Sequence, residues 1–123
     1  MREIKFRAWD GKYKKYYYMD NCDFIIERDG ASVFSEFSSD RINKSWKLEQ
    51  YTGLKDMNGI EIYEGDIIET IFPDNNLVYW DDEYSMFAYR HKTSWGNSLC
   101  ELYYNLADTE IIGNIHETPE LLK

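Results

Sequence analysis

The stretch Gln50–Ile68 constrains the fold more than any other part of the chain. It reads QYTGLKDMNGIEIYEGDII and holds three glycines, an Asn-Gly pair and two short apolar runs. Asn58-Gly59 lies between two segments that can pair as short strands. A two-residue turn with both φ angles positive lets such strands pair with their right-handed twist. The sequence therefore predicts a tight hairpin at Asn58 and Gly59.

A second turn is predicted at Gly65 and Asp66, directly after this hairpin. A carboxylate at the entrance of a strand can accept hydrogen bonds from the N–H groups of a turn, so Asp66 is interpreted as a structural residue. The run that follows, residues 67–72, is rich in β-branched side chains and predicts a central strand.

Alternation of apolar and polar residues, or a short apolar or aromatic run next to turn residues, predicts further strands on both sides of this stretch. In chain order they cover residues 4–9, 12–19, 24–27, 32–37, 46–51, 77–80, 85–90 and 110–115. The first is expected to have one apolar face, formed by Ile4, Phe6 and Ala8. No internal repeat is recognised along the chain.

One short helix is predicted before the last strand. Ser98 and Glu101 have the spacing of a capping box, in which each side chain satisfies a backbone N–H group at the helix start. Leu99, Leu102 and Leu106 follow at helical spacing. Residues 118–120 are predicted to open a short terminal turn.

Three blocks of the sequence resemble the YopX family of bacteriophage and prophage proteins. They are MREIKFRAWD at 1–10, YTGLKDMNGIEIYEGDII at 51–68 and EIIGNIHETPELLK at 110–123, and their order and spacing fit the family. The resemblance implies a mainly β protein whose C-terminal part is a small SH3-like barrel, and it implies no established activity. We therefore expect an N-terminal β-hairpin region, residues 1–50, packed on a C-terminal SH3-like barrel, residues 51–123.

The net charge of −9 is distributed unevenly along the chain. Residues 1–18 contain six Lys or Arg and two acidic residues, a balance of +4, so the remainder carries −13. An acidic body repels the nucleic-acid backbone and favours basic partners.

Several classes of site lack the residues that they need. Cys22 and Cys100 are not in a CxxC motif, and His91 and His116 lie far apart, so neither a disulfide framework nor a zinc site is predicted. No Gly-x-Ser-x-Gly, P-loop or dinucleotide motif occurs, and no cofactor is expected. Because no apolar run reaches the length of a membrane span, we expect a protein of the bacterial cytoplasm.

The first functional hypothesis is a non-enzymatic module that binds a basic host or phage protein. Aromatic side chains are enriched at the centres of interfaces, so acidic and aromatic loop residues are the candidates. They are Trp80, Asp81, Asp82, Glu83, Tyr84 and Trp95. For each ring the alternative is that it completes the core. A homo-oligomer is a further alternative, because exposed hairpin edges can pair between subunits.

A second hypothesis is weak binding of single-stranded nucleic acid by the N-terminal hairpin. Rings beside Lys and Arg can stack bases and follow phosphates. The candidates are Arg2, Lys5, Arg7, Lys12, Lys14, Lys15 and Tyr16. The acidic remainder of the chain argues against this hypothesis.

A third hypothesis is a metal-dependent enzyme that uses clustered carboxylates. Two acidic runs occur, the first consisting of Glu61, Glu64, Asp66 and Glu69 and the second of Asp81, Asp82 and Glu83. If their strands paired, oxygen ligands for a divalent cation would come together. Acidic residues at turns, however, are usually solvated or bonded to nearby backbone groups.

Overall fold

The computed structural model describes residues 3–20, 23–27, 30–34, 46–70, 75–90, 97–98 and 107–122. It confirms the prediction of a mainly β protein, because these residues form eleven strands and a C-terminal 3₁₀ turn, Pro119–Leu122. The strands are β1 Phe6–Asp10, β2 Lys15–Tyr18, β3 Asp23–Glu27, β4 Gly30–Phe34, β5 Lys47–Lys55, β6 Glu61–Tyr63, β7 Asp66–Glu69, β8 Asn75–Asp81, β9 Met86–Arg90, β10 Asn97–Ser98 and β11 Glu110–Asn114.

The chain forms two compact units, Glu3–Gln50 and Tyr51–Lys123. The nine-residue strand β5 runs through the boundary between them. Its first part, Lys47–Gln50, pairs with β1, and its second part pairs with β6 from Tyr51 onward.

In the first unit, β1 is antiparallel to both β2 and β5, and β3 pairs with β4. The expectation of one apolar face on the first strand is met only in part, since Ala8 is buried and Phe6 is half-buried. Ile4 is 62% exposed, whereas Lys5 and Arg7 are buried. Lys5 contacts the carboxylates of Glu3 and Asp20, and Arg7 is paired with Glu49, so each buried charge is compensated.

The second unit contains a five-stranded antiparallel sheet in the order β10-β9-β8-β7-β11. Its core is built from Ile62, Ile68, Val78 and Phe87, which come from four different strands. The pairing of β11 with β7 shifts register between Ile111 and Gly113. Such an irregularity bends a strand and increases its local twist.

The hairpin between β5 and β6 has a different loop from the predicted one. Its loop is residues 57–59, closed by hydrogen bonds from Asp56 N to Ile60 O and from Gly59 N to Asp56 O. Gly59 has a positive φ of 78°, whereas Asn58 does not. The cause is the Asp56 carboxylate, whose Oδ1 accepts the N–H groups of Asn58 and Ile60 and so favours a three-residue loop.

The helix predicted over residues 98–106 falls largely outside the described residues. Ser98, the expected cap residue, lies in β10 and pairs with Ala88 of β9. Nowhere in the described ranges is a helix long and apolar enough to cross a membrane.

Candidate functional site: two matched hairpin tips

The turn between β8 and β9 presents an acidic tip, which we define as Trp80, Asp81, Asp82, Glu83 and Tyr84. Asp81 ends β8, and its Oδ1 accepts hydrogen bonds from Glu83 N at 2.9 Å and Tyr84 N at 3.2 Å. These bonds fix the turn from within, as Asp commonly does. Asp82, Glu83 and Tyr84 are exposed, with Tyr84 at 67%. The carboxylates and the phenol ring are therefore held outward on an ordered loop.

Trp80 contacts a ring of the core and is also partly exposed to solvent. It pairs across the hairpin with Phe87, and the two rings meet edge to face with centroids 4.9 Å apart. Phe87 belongs to the core of the second unit, whereas Trp80 is 40% exposed. A large ring in this position can contact a partner without being reorganised. Trp95, the remaining candidate of this set, lies outside the described residues.

The turn between β1 and β2 presents a basic tip, which we define as Lys12, Tyr13, Lys14 and Lys15. Here Asp10 Oδ1 accepts hydrogen bonds from Lys12 N at 2.9 Å and Tyr13 N at 3.2 Å. All four residues of the basic tip are exposed, and Tyr13 is 67% exposed. Lys12 Nζ lies 5.2 Å from the centroid of the Tyr13 ring, within the range of a cation–π contact.

The other residues proposed for nucleic-acid contact lie elsewhere. Arg7 Nε donates to Glu49 Oε1 at 2.8 Å, and Lys5 Nζ lies 3.5 Å from Asp20 Oδ2; both cations are buried. Tyr16 is half-buried, with the Arg7 guanidinium over its ring. Arg2 lies outside the described residues. Among the described candidates, the exposed basic side chains are thus the three lysines of the basic tip.

The two tips are built on the same turn. Each has four residues between a paired Asp and the first residue of the next strand, Lys15 in one hairpin and Met86 in the other. Each places a non-glycine residue at positive φ in the last loop position, Lys14 at 56° and Ser85 at 50°. A Trp precedes each Asp and contacts the aromatic ring opposite at a centroid distance of 4.9 Å.

This structural match exposes a repeat that our sequence reading missed. Residues 9–18 and 80–89 both follow the pattern Trp-Asp-x-x-Tyr-x-x-(Tyr or Phe)-x-Tyr. The signal was available in the spacing of Trp, Asp and Tyr. It is hidden by the opposite charges of the intervening residues, which led us to interpret one segment as basic and the other as acidic.

The carboxylates proposed for a metal site do not converge. In the described part of the chain, no group of three or more His, Cys, Asp or Glu side chains is placed to hold a metal ion. Asp66 is buried, and its Oδ2 accepts a hydrogen bond from Tyr63 N at 2.8 Å. Gly65 beside it has a φ of 90°, donates its N–H to Val78 O and accepts from Ile115 N. These two residues shape the turn between β6 and β7.

Comparison with solved structures supports this architecture. The chain is similar to protein EF1440 from Enterococcus faecalis, a crystal structure, with 25% sequence identity and a TM-score of 0.63. The similarity covers 100% of both chains. No curated protein sequence is significantly similar to the chain.

Comparison with protein families assigns nearly the whole chain to one family. The sequence profile described as YopX protein matches residues 5–123, which include both units and both hairpin tips. The match confirms the resemblance carried by the three sequence blocks, and the chain therefore belongs to the YopX family.

Proposed function

We propose that this protein is a non-enzymatic binding module that engages a basic protein partner through the acidic tip. The observation that carries the proposal is a pair of solvent-exposed aromatic rings, Trp80 and Tyr84. They lie on either side of exposed Asp82 and Glu83 in the chain. Aromatic side chains supply buried area in an interface, and neighbouring carboxylates select a cationic partner.

The distribution of charge between the two units supports the same conclusion. Residues 51–123 contain four Lys or Arg against fourteen Asp or Glu, whereas residues 1–50 contain ten against nine. The second unit, which contains the acidic tip, therefore carries −10. Such a field accelerates encounter with a basic surface and repels polyanions.

The proposal includes the setting in which the module acts. The second unit is a small SH3-like barrel, a reading supported by its short antiparallel strands and by the irregular pairing of β11 with β7. The protein is of phage or prophage origin and meets its partner in the cytoplasm of the bacterial host.

Affinity capture from a bacterial lysate, followed by titration of the purified partner, tests the proposal. Asp82→Asn/Glu83→Gln removes two charges from the acidic tip, and Trp80→Ala removes its anchored ring. Each variant should weaken the captured complex about tenfold or more, which corresponds to about 1.4 kcal/mol. Glu117→Gln/Glu120→Gln is the matched control, because it removes two exposed carboxylates of the same unit away from the tip. Equal binding by wild type and both tip variants would refute the proposal.

A further inference from the structure

We infer that the basic tip of one copy of this chain binds the acidic tip of a second copy. The inference rests on the proposed function, since it names the partner of the acidic tip. Two observations carry it: the tips share one turn geometry, and they display opposite charges on it. A partner of the required chemistry is therefore present on every copy of the chain.

The charges are inverted at corresponding positions of the turn. Lys12 and Glu83 both follow the turn Asp by two residues and donate a backbone N–H to its Oδ1. Lys14 and Lys15 add positive charge to one tip, and Asp82 adds negative charge to the other. Opposed surfaces with matched charges of opposite sign steer association and fix its orientation.

The exposed tyrosines supply a second kind of contact. Within the basic tip, Lys12 already lies over the Tyr13 ring, and Lys15 Nζ lies 4.8 Å from the ring centroid of Tyr17. Tyr84 is as exposed as Tyr13 and stands beside the carboxylates of the acidic tip. A lysine from the second copy can therefore contact the Tyr84 ring and a carboxylate together.

The contact is expected to be weak and sensitive to salt. Two hairpin tips bury little surface and fall in the class of transient interfaces, below about 1,200 Å² in total. Exposed charges are screened beyond about 8 Å at physiological ionic strength. Self-association should therefore appear at high protein concentration in low salt and decline as salt is added.

Nucleic acid is the competing occupant of the basic tip. It is less favoured because only three of the described basic candidates are exposed, and the chain as a whole carries −9. A second copy carries the same net charge, but its acidic tip can meet the lysines at a local contact, whereas a polyanion carries negative charge along its whole length.

A charge exchange followed by sedimentation velocity tests the inference on the full chain. Lys12→Glu/Lys14→Glu/Lys15→Glu makes both tips acidic, and Asp82→Lys/Glu83→Lys makes both tips basic. Wild type should increase in mass with concentration at low salt. Each variant alone should remain monomeric because its tips repel, and an equimolar mixture of the two should associate again. The mixture is the decisive sample, because loss of folding in either variant would not restore association.

A matched control and a nucleic-acid probe separate the remaining outcomes. Glu117→Lys/Glu120→Lys makes the same charge change as Asp82→Lys/Glu83→Lys, but outside the acidic tip. This control should associate as wild type does. A wild-type protein that stays monomeric up to the millimolar range overturns the inference. If its acidic-tip variants nevertheless lose a captured basic partner, the proposed function stands alone. Binding of a labelled oligothymidylate that is lost in the triple lysine variant, with self-association unchanged, also overturns the inference in favour of nucleic acid.

Discussion

Arg7 and Glu49 face each other across β1 and β5, and the guanidinium Nε donates to the carboxylate Oε1 at 2.8 Å. Both side chains are buried, at 5% and 8% exposure. The Arg7 guanidinium also lies 4.2 Å from the centroid of the Tyr16 ring on the opposite strand of the hairpin. A cation that a local reading of the sequence assigns to the surface is thus part of the interior of the first unit.

Replacing Arg7 alone should strongly destabilise the protein. In Arg7→Met the Glu49 carboxylate stays buried without its cation, and removing one member of a buried pair typically costs about 3–5 kcal/mol. Glu49→Met should cost a similar amount for the converse reason. The free energy of unfolding, measured in urea, gives both values.

The double variant Arg7→Met/Glu49→Met distinguishes a coupled pair from two independent residues. With both charges absent no ion remains buried, so its loss of stability should be smaller than the sum of the two single losses. Strict additivity of the three measurements would contradict the pairing.

Asp56 should be more important for stability than its place in a loop indicates. Its Oδ1 accepts two N–H groups of the β5–β6 loop, and its Oδ2 accepts Ile111 N at 3.1 Å from β11. Hydrogen bonds to a charged group contribute about 1.5–3 kcal/mol each, so Asp56→Ala should cost about 3 kcal/mol or more. Asp56→Asn keeps one acceptor but turns an amide N–H₂ toward Ile111, and it should cost roughly half as much. Thermal unfolding ranks the variants, and a neutral Asp56→Ala would refute the role.

Gly113 should not tolerate a side chain. A Cβ at this position would overlap Thr118 Oγ1 and lie 2.9 Å from Leu121 Cδ1. Gly113→Ala should therefore destabilise the protein by about 1–3 kcal/mol, the usual range for overpacking. Gly11→Ala is the control, because its Cβ would make one ordinary contact at 3.9 Å, with Trp9 Nε1. Equal melting temperatures for the two variants would show that the crowding is relieved at no cost.

Replacing Ser85 by glycine should have the opposite effect and stabilise the protein. Its φ of 50° lies in the left-handed region, which costs a residue with a Cβ about 1–2 kcal/mol and glycine little. Ser85→Gly should stabilise the protein by up to about 1 kcal/mol, as measured in urea, because relief of strain outweighs the added chain entropy. Ser85→Ala retains the Cβ and should not stabilise. A gain in Ser85→Ala equal to that in Ser85→Gly would show that the backbone angle is not the cause.

Strand positions and turns were predictable because they depend on local chemistry. An apolar run places β8 and alternation places β9, each correctly to within two residues at each end. Asp81 was expected in the loop between them. The position of the loop at Asn58-Gly59 was predicted correctly, but its length was not, since the loop has three residues instead of two. Asn-Gly alone favours two residues, and the deciding contact is the carboxylate of Asp56, which a dipeptide pattern does not include.

The burial of Lys5 and Arg7 was not predictable from β1 alone. The carboxylate that compensates Arg7 is 42 residues away along the chain, and alternation of residue types carries no information about a partner on another strand. The candidate site was only partly predictable, because it too depends on contacts between strands. Its residues were named from charge and aromaticity, whereas the equivalence of the two tips depends on backbone angles and on cross-strand ring pairs.

β5 changes its pairing partner at the boundary between the two units. Domain boundaries usually fall in exposed linkers that can be cut without loss. Here residue 50 marks only a change of pairing partner along one continuous strand. A cut at this point would leave Lys47–Gln50 with β1 and Tyr51–Lys55 with β6, so each half would keep its own pairing and lose only the other part of the strand. Each half produced alone would therefore begin or end inside a strand instead of in a linker.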